Sequence, residues 1–371
     1  MRQIDLDTGP VRFSGQLDFD RSDSGLTPRR LPDWTRPQLP GLVEVMVKFT
    51  SGVRLEFVTT SRCIELEVML TQLDVAYRVN QDAWFDLVID AGPARTVGAP
   101  AGSKILTDLY SLELVPGAPS TIRFDDLPAG EKNCELWLPA NAMTEVRALR
   151  IDADATLSAP PAQTRRRWMH HGSSISQCTE AESPSQTWPA LAASLAGMDL
   201  LNLGFGGNCH IDPFVARTMR DEPADVMSFK VGINVWNMDS LKERTFGPAL
   251  HGFLDTVREG KPETPFLIVS PIICPTGEDH PGPSVWDGEN FVALIDTDER
   301  RLGGLTVRRM REIIQEIVEM RRAQGDTNLH YLDGLKLFGP EDAADLPDSL
   351  HPNAAGYKRI GERFAKLFLA G

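Results

Sequence analysis

At 371 residues, 42% hydrophobic and 24% charged, the chain exceeds the span of one ordinary hydrophobic core, so two domains are expected. A formal charge of −14 repels phosphate backbones and argues against nucleic acid as a partner; the one basic cluster, Arg165-Arg166-Arg167, is short and reads as a solvated linker edge. No apolar run is long enough to span a bilayer, so no membrane partner is expected either.

The N-terminus, Met1 to Asp7, has no apolar h-region. Five cysteines are scattered along the chain, odd in number and without a Cys-x-x-Cys pair. They form neither a disulfide framework nor a zinc site, and a cytoplasmic protein is expected.

Residues 1–160 read as short strands separated by Gly, Pro and Asp turns. Segments 43–49 and 53–57 flank Ser51-Gly52 and predict a hairpin. Segment 64–70 alternates with period two, which puts Ile64, Leu66, Val68 and Leu70 on one buried face. Further strands are expected at 76–79, 85–89, 121–124, 134–138 and 146–152. The pattern predicts an antiparallel β-sandwich or jelly roll as an accessory domain. Residues 158–164 form the linker, and 161–371 the second domain.

Beyond the linker, strands alternate with helices. Strands are expected at 168–171, 198–203, 226–231, 266–271 and 329–332. Val307, Met310, Ile314 and Ile317 mark one helix face; Tyr357, Ile360, Phe364, Leu367 and Phe368 mark the terminal one. Strands joined by helices in this way predict a doubly wound, parallel α/β sheet.

Four segments of this second domain carry chemistry. Gly172-Ser173-Ser174-Ile175 breaks from a strand into a turn, which places a hydroxyl at the mouth of an open sheet. Ser174 has the position, but an unassisted serine is a poor nucleophile and needs an adjacent base. Asn202 to Asn208 ends in glycines that could aim a backbone N–H into a site, and the Asn234 amide could donate to a developing oxyanion. Asp348-Ser349-Leu350-His351 sets a carboxylate and an imidazole on one tight turn, where the acid can fix the ring tautomer. Asp333 and Asp345 lack that offset to His351. His170 and His171 adjoin the Ser174 turn, one of them directed into the sheet flank, and His330, in a strand, reads as a satisfied core histidine. Cys209, His210, Trp236 and Trp286 are candidates for lining a pocket. No His-x-x-x-His or Glu-x-x-His pair occurs, so neither metal nor other cofactor is expected.

In this order and spacing the four segments resemble the SGNH (GDSL-type) hydrolase family of esterases and lipases. Its Gly-Asp-Ser-Leu/Ile block is matched by Gly172-Ser173-Ser174-Ile175, its oxyanion glycine by Gly207, its Gly-x-Asn-Asp by Gly232-Ile233-Asn234, and its Asp-x-x-His by Asp348 and His351. Ser173 and Val235 stand where the family carries Asp, which points to a divergent branch. The resemblance implies a flavodoxin-like sheet and a serine esterase: Ser174 as nucleophile, His351 as base, Asp348 as its orienting acid. The backbone N–H groups of Ser174 and Gly207 and the Asn234 side chain would form the oxyanion hole. Members paired with an N-terminal β-domain are often carbohydrate esterases, so a small acylated substrate, an acetylated sugar or oligosaccharide, is expected. A broad aryl-ester or thioester hydrolase and a non-catalytic carbohydrate-binding protein with a relict fold are the alternatives; self-association stays open.

Overall fold

The alternation at Ile64, Leu66, Val68 and Leu70 becomes the inner face of the strand Ile64–Asp74, all four side chains fully buried. The computed structural model describes residues 1–75, 81–107, 112–294 and 302–369, so the strand expected at 76–79 lies outside the described residues. Ile64–Asp74 pairs antiparallel with Ser120–Phe124 and Met143–Ile151, and parallel with Ser103–Thr107, as the spine of an eight-stranded sheet. A second sheet, of six strands, is centred on Arg54–Thr59, Lys132–Trp137 and Ala83–Ile89. Leu66 and Val68 of the first sheet share one core with Phe57, Phe85 and Leu136 of the second, which makes this unit a β-sandwich.

The hairpin expected from 43–49 and 53–57 does not form. Gly41–Met46 is a helix instead, and Val43, Met46 and Val47 lie buried on one side of it. Apolar residues at 43, 45 and 47 satisfy a strand, but 43, 46 and 47 equally satisfy the i, i+3, i+4 rule, and helical packing wins. Arg54–Thr59 pairs with Lys132–Trp137 rather than with its neighbour in sequence.

The chain divides into two compact units, Met1–Thr164 with Glu182–Thr187, and Arg165–Ala181 with Trp188–Gly371. In the first, the buried Asp86 carboxylate accepts hydrogen bonds from the Ser183 hydroxyl at 2.6 Å, the Ser185 N–H at 2.9 Å and the Ser185 hydroxyl at 2.6 Å. Those bonds hold the short excursion 182–187.

The second unit contains strands β1 (Arg167–Gly172), β2 (Asp199–Gly204), β3 (Val226–Lys230), β4 (Phe266–Val269) and β5 (Leu329–Leu332). They form one parallel sheet in the order β2-β1-β3-β4-β5. Helices α1 (Ser174–Gln177), α2 (Trp188–Leu195), α3 (Pro213–Asp221), α4 (Ile233–Met238), α5 (Glu243–Gly260), α6 (Val307–Ala323) and α7 (Ala354–Phe364) connect and follow them. Period two along β1 assigns its side chains to opposite faces. Trp168 stacks on Phe364 of α7 at 5.0 Å, and His171 on Phe253 of α5 at 6.2 Å.

In α6, Val307, Met310, Ile314 and Ile317 are all buried, as are Tyr357, Ile360 and Phe364 in α7. Leu367 was expected on that face but is 50% exposed. After Phe364 the chain widens into a π-type turn, Ala365–Leu369, whose longer repeat carries Leu367 out. The connections leave β1 and β3 in opposite directions, so their carboxyl ends flank the switch point where open α/β sheets bind ligands.

Candidate active site

Strand β1 ends at Gly172 and runs straight into α1. A side chain at 172 is sterically barred, since an added Cβ would lie 2.2 Å from Ser176 Oγ. Ser173 caps α1, its Oγ accepting from the Ile175 N–H at 3.3 Å. Ser176 is buried against His170 Nε2 at 2.8 Å. Ser174 is the serine of the three that meets His351, with Oγ 2.9 Å from Nε2.

This four-residue helix is fastened from outside. Trp188 Nε1–H donates to the Ile175 carbonyl at 2.8 Å, and Asn202 Nδ2 to the Ser176 carbonyl at 2.9 Å. Gln177 Oε1 accepts the Gly206 N–H at 2.8 Å. Both β1 histidines are fully buried, one on each face of the sheet. Burial, with the charges of His171 and Lys230, pushes His170 far below the ordinary imidazole range, so it is neutral and held between Ser228 and Ser176.

The turn before α7 brings Asp348 to His351, with Oδ2 2.7 Å from Nδ1. An ionised carboxylate only accepts, so Nδ1 carries the proton and Nε2 is left to accept from the Ser174 hydroxyl. The other Asp348 oxygen takes the N–H groups of Leu350 at 2.9 Å and His351 at 2.6 Å. Burial alone would raise the Asp348 carboxyl. The hydrogen bond and charge of the His351 ring, with the two backbone N–H groups, hold it below the usual carboxylate range instead. The rival acids are engaged elsewhere: Asp345 with Asn353 and Arg359, Asp333 with the Leu335 N–H.

Three donors lie on the loops after β1, β2 and β3. Ser174 N–H opens α1, where no helical partner exists. Gly207 sits at φ +69°, a conformation side chains resist. The Asn208 amide donates to the Gly206 carbonyl, which fixes the peptide whose other end is the Gly207 N–H. Asn234, 3% exposed on the first turn of α4, accepts the Cys209 N–H at 3.0 Å through Oδ1, so its NH₂ faces the other way. His210 is half-buried; Nε2–H donates to the Gly207 carbonyl at 3.0 Å and Nδ1 lies 2.8 Å from the Ser240 hydroxyl.

Several expectations shift. Trp236 is 1% exposed and does not line an open pocket; its Nε1–H donates to the His280 carbonyl at 2.9 Å, and Gly277 packs on its ring. Cys209 is likewise buried and acts through its backbone. Trp286 is partly exposed and adjoins Phe291, ring centroids 5.3 Å apart. His330 is half-buried, next to Arg322 and Phe368, rather than in the core. The supporting groups Gln177, Asn202 and Asn208 carry no pattern beyond being amides near glycine turns, and sequence reasoning passed over them. Among the described residues no group of three or more His, Cys, Asp or Glu could hold a metal ion, and no helix is long and apolar enough to cross a membrane.

Comparison with known proteins agrees with this fold. The model of the GDSL-like lipase/acylhydrolase family matches residues 171–359. Salicylyl-acyltransferase SsfX3 from a tetracycline biosynthetic pathway is 30% identical over 98% of this chain and 95% of its own, with a TM-score of 0.82. A protein assigned as a GDSL-like lipase, from Bacteroides ovatus, covers 96% and 94% at 21% identity and TM-score 0.68. A family two carbohydrate esterase from Clostridium thermocellum, solved with cellohexaose, covers 96% and 97% at 15% identity and TM-score 0.60; these last two share the fold. No curated protein matches the chain. From the Ser174 turn to α7, then, the chain belongs to the GDSL-like lipase/acylhydrolase family, and it is a carboxylic ester hydrolase.

Proposed function

We propose that the protein cleaves small acyl esters, acetyl esters of a carbohydrate foremost, through an acyl-enzyme on Ser174. The observation that carries this reading is the ordered relay Ser174 Oγ–His351 Nε2–Asp348 Oδ2, at 2.9 and 2.7 Å, at the carboxyl edge of the sheet. Ser174 Oγ attacks the ester carbonyl carbon as its proton passes to Nε2. The carbonyl π electrons move to oxygen, and the resulting oxyanion meets the N–H groups of Ser174 and Gly207 and the Asn234 NH₂. Collapse breaks the bond to the alcohol, which leaves with the proton from Nε2. Water then repeats the sequence and releases the acid. Asp348 stays ionised throughout, orienting the ring and stabilising its cationic form.

The two-domain plan in common with a cellohexaose-bound carbohydrate esterase supports a sugar as the alcohol. A second reading is favoured by the 30% identity to a salicylyl-acyltransferase: an aryl acyl group, passed to an alcohol rather than to water. The same acyl-enzyme serves both, since only the second nucleophile differs.

One experiment tests the chemistry and the substrate together. Purified protein is assayed on acetylated oligosaccharides, on p-nitrophenyl esters of rising chain length, and on salicyl or benzoyl esters and thioesters with and without an alcohol acceptor. Highest kcat/KM on acetylated sugars supports the first reading; acceptor-dependent turnover of aryl substrates replaces it with the second. Ser174→Ala should lower kcat by about 10⁴-fold or more in either case. A chain that no fluorophosphonate labels and that hydrolyses nothing would point to the relict binding protein.

A further inference from the structure

The acid–base turn is not fastened by the sheet. Ser349, between Asp348 and His351, has φ +64°, which a non-glycine residue keeps only where its surroundings impose it. Asp348 Oδ1 shapes the turn from within by taking the Leu350 and His351 N–H groups, and its outer support comes from the short hairpin 284–293, formed by Ser284–Trp286 and Phe291–Ala293. Phe291 N–H donates to the Asp348 carbonyl at 2.9 Å. The Ser349 hydroxyl donates to Asn290 Oδ1 at 2.7 Å, across 59 residues of sequence. The Phe291 ring, 8% exposed, stands edge-on to the His351 imidazole, centroids 5.7 Å apart and planes at 73°.

The other side of the hairpin is tied to α4, which carries Asn234. Its Ser284 hydroxyl donates to Asn237 Oδ1, and the preceding loop accepts the Trp236 indole N–H at the His280 carbonyl. Thr276 Oγ1 donates to the Phe291 carbonyl at 3.0 Å, and Leu294 N–H to the Pro283 carbonyl at 2.8 Å, so the hairpin is itself pinned at its base. One element thus grips both the helix bearing the Asn234 amide and the turn bearing the imidazole.

We propose that the hairpin 284–293 is a brace for the acid–base turn, with Asn290 and Phe291 as positioning residues that set His351 against Ser174 without touching the reacting atoms. This rests on His351 being the general base. A misplacement of the base by a fraction of an ångström is costly because reacting groups must meet within hydrogen-bond reach, and the carboxylate–imidazole alignment sets the ring's affinity for the proton.

The test is a double-mutant cycle on the full chain, with active sites titrated by a fluorophosphonate so that rates refer to folded enzyme. Asn290→Ala and Ser349→Ala should each lower kcat about 10-fold with little change in KM, and the double variant should be no slower than the slower single one. The acid limb of kcat/KM should move to lower pH in all three, as the imidazolium loses part of its hold on Asp348. Asn290→Asp keeps the acceptor and should restore the rate. Phe291→Leu, which removes the ring packed against the imidazole, should lower kcat in the same way with little change in KM. Additive losses with an unmoved pH limb, or a deficit that vanishes on active-site titration, overturn the brace. If Ser174→Ala abolishes turnover while the hairpin variants match wild type, the brace alone is wrong; if Ser174→Ala stays active, the catalytic reading falls first and the brace with it.

Discussion

The proposed nucleophile and the proposed base of this site are held by opposite means. Ser174 stands on a four-residue helix at the end of a central strand, and the sheet holds it: Ser173 caps the helix, Gly172 makes room, Ser176 locks onto His170 of β1, and Asn202 of β2 ties the Ser176 carbonyl. His351 stands on an irregular turn whose internal geometry Asp348 supplies, but whose outer support comes from the distant residues Asn290 and Phe291. A strand-to-helix turn is stiff because the sheet beneath is packed on both faces. A turn between a 3₁₀ segment and a helix has no such floor and must borrow one.

The largest effect expected in this contrast comes from the base side. Asp348→Asn should lower kcat by about 10³–10⁴-fold, because an amide can present its NH₂ to Nδ1 and stabilise the wrong tautomer. Asp345→Asn and Asp333→Asn should leave turnover near wild type, since one carboxylate is spent on Asn353 and Arg359 and the other on a 3₁₀ cap. Steady-state kinetics of the three variants decide the matter. A silent Asp348→Asn beside a crippling Asp345→Asn would dissolve the comparison by moving the acid to another part of the turn.

A smaller loss should come from the strand side. Asn234→Ala should reduce kcat by about 10²–10³-fold with a lesser effect on KM, as for a donor used chiefly in the transition state. Its amide is already aimed by the Cys209 N–H, so no reorganisation is needed when charge develops on the substrate oxygen. Equal effects on kcat and KM would mean that Asn234 grips the ground state, and that Ser174 and Gly207 carry the oxyanion alone.

The same contrast explains what could be read from sequence. Gly172-Ser173-Ser174 and Asp348-x-x-His351 were legible because each is a local motif whose chemistry fits within one turn. Strand 64–70 was legible because a sandwich face imposes strict alternation, as the complete burial of Ile64, Leu66, Val68 and Leu70 requires. Segment 43–47 was misread because three valines at period two also leave Val43 and Val47 one helical turn apart, and only tertiary packing chooses between them. Trp236 was expected at a pocket because it follows Asn234, yet the loop over α4 covers it, and no local pattern announces a loop that folds back from 44 residues later. Asn290 and Phe291 escaped for the same reason: their partners are fixed by the fold, not by spacing.

The smallest effect tests whether the strand side is as fully satisfied as its hydrogen bonds suggest. Lys230 ends β3, 2% exposed, and among the described residues its Nζ has no hydrogen-bond partner. Burial pushes its ammonium down to about 8 from an ordinary 10.5. Between those two values the unfolded chain binds more protons than the folded one, so the wild-type protein gains stability as pH rises across that window and carries the full cost of the buried charge below it. Lys230→Met keeps the aliphatic length and removes the charge. It should therefore raise the free energy of unfolding by about 1–3 kcal/mol at neutral pH, and the gain should shrink steadily toward pH 10.5. Denaturant melts of both proteins at several pH values measure it. A methionine variant that is less stable at pH 7, with a difference indifferent to pH, would mean that the ammonium is held by an interaction the hydrogen bonds of β3 do not reveal, and that the strand beneath the nucleophile depends on that charge.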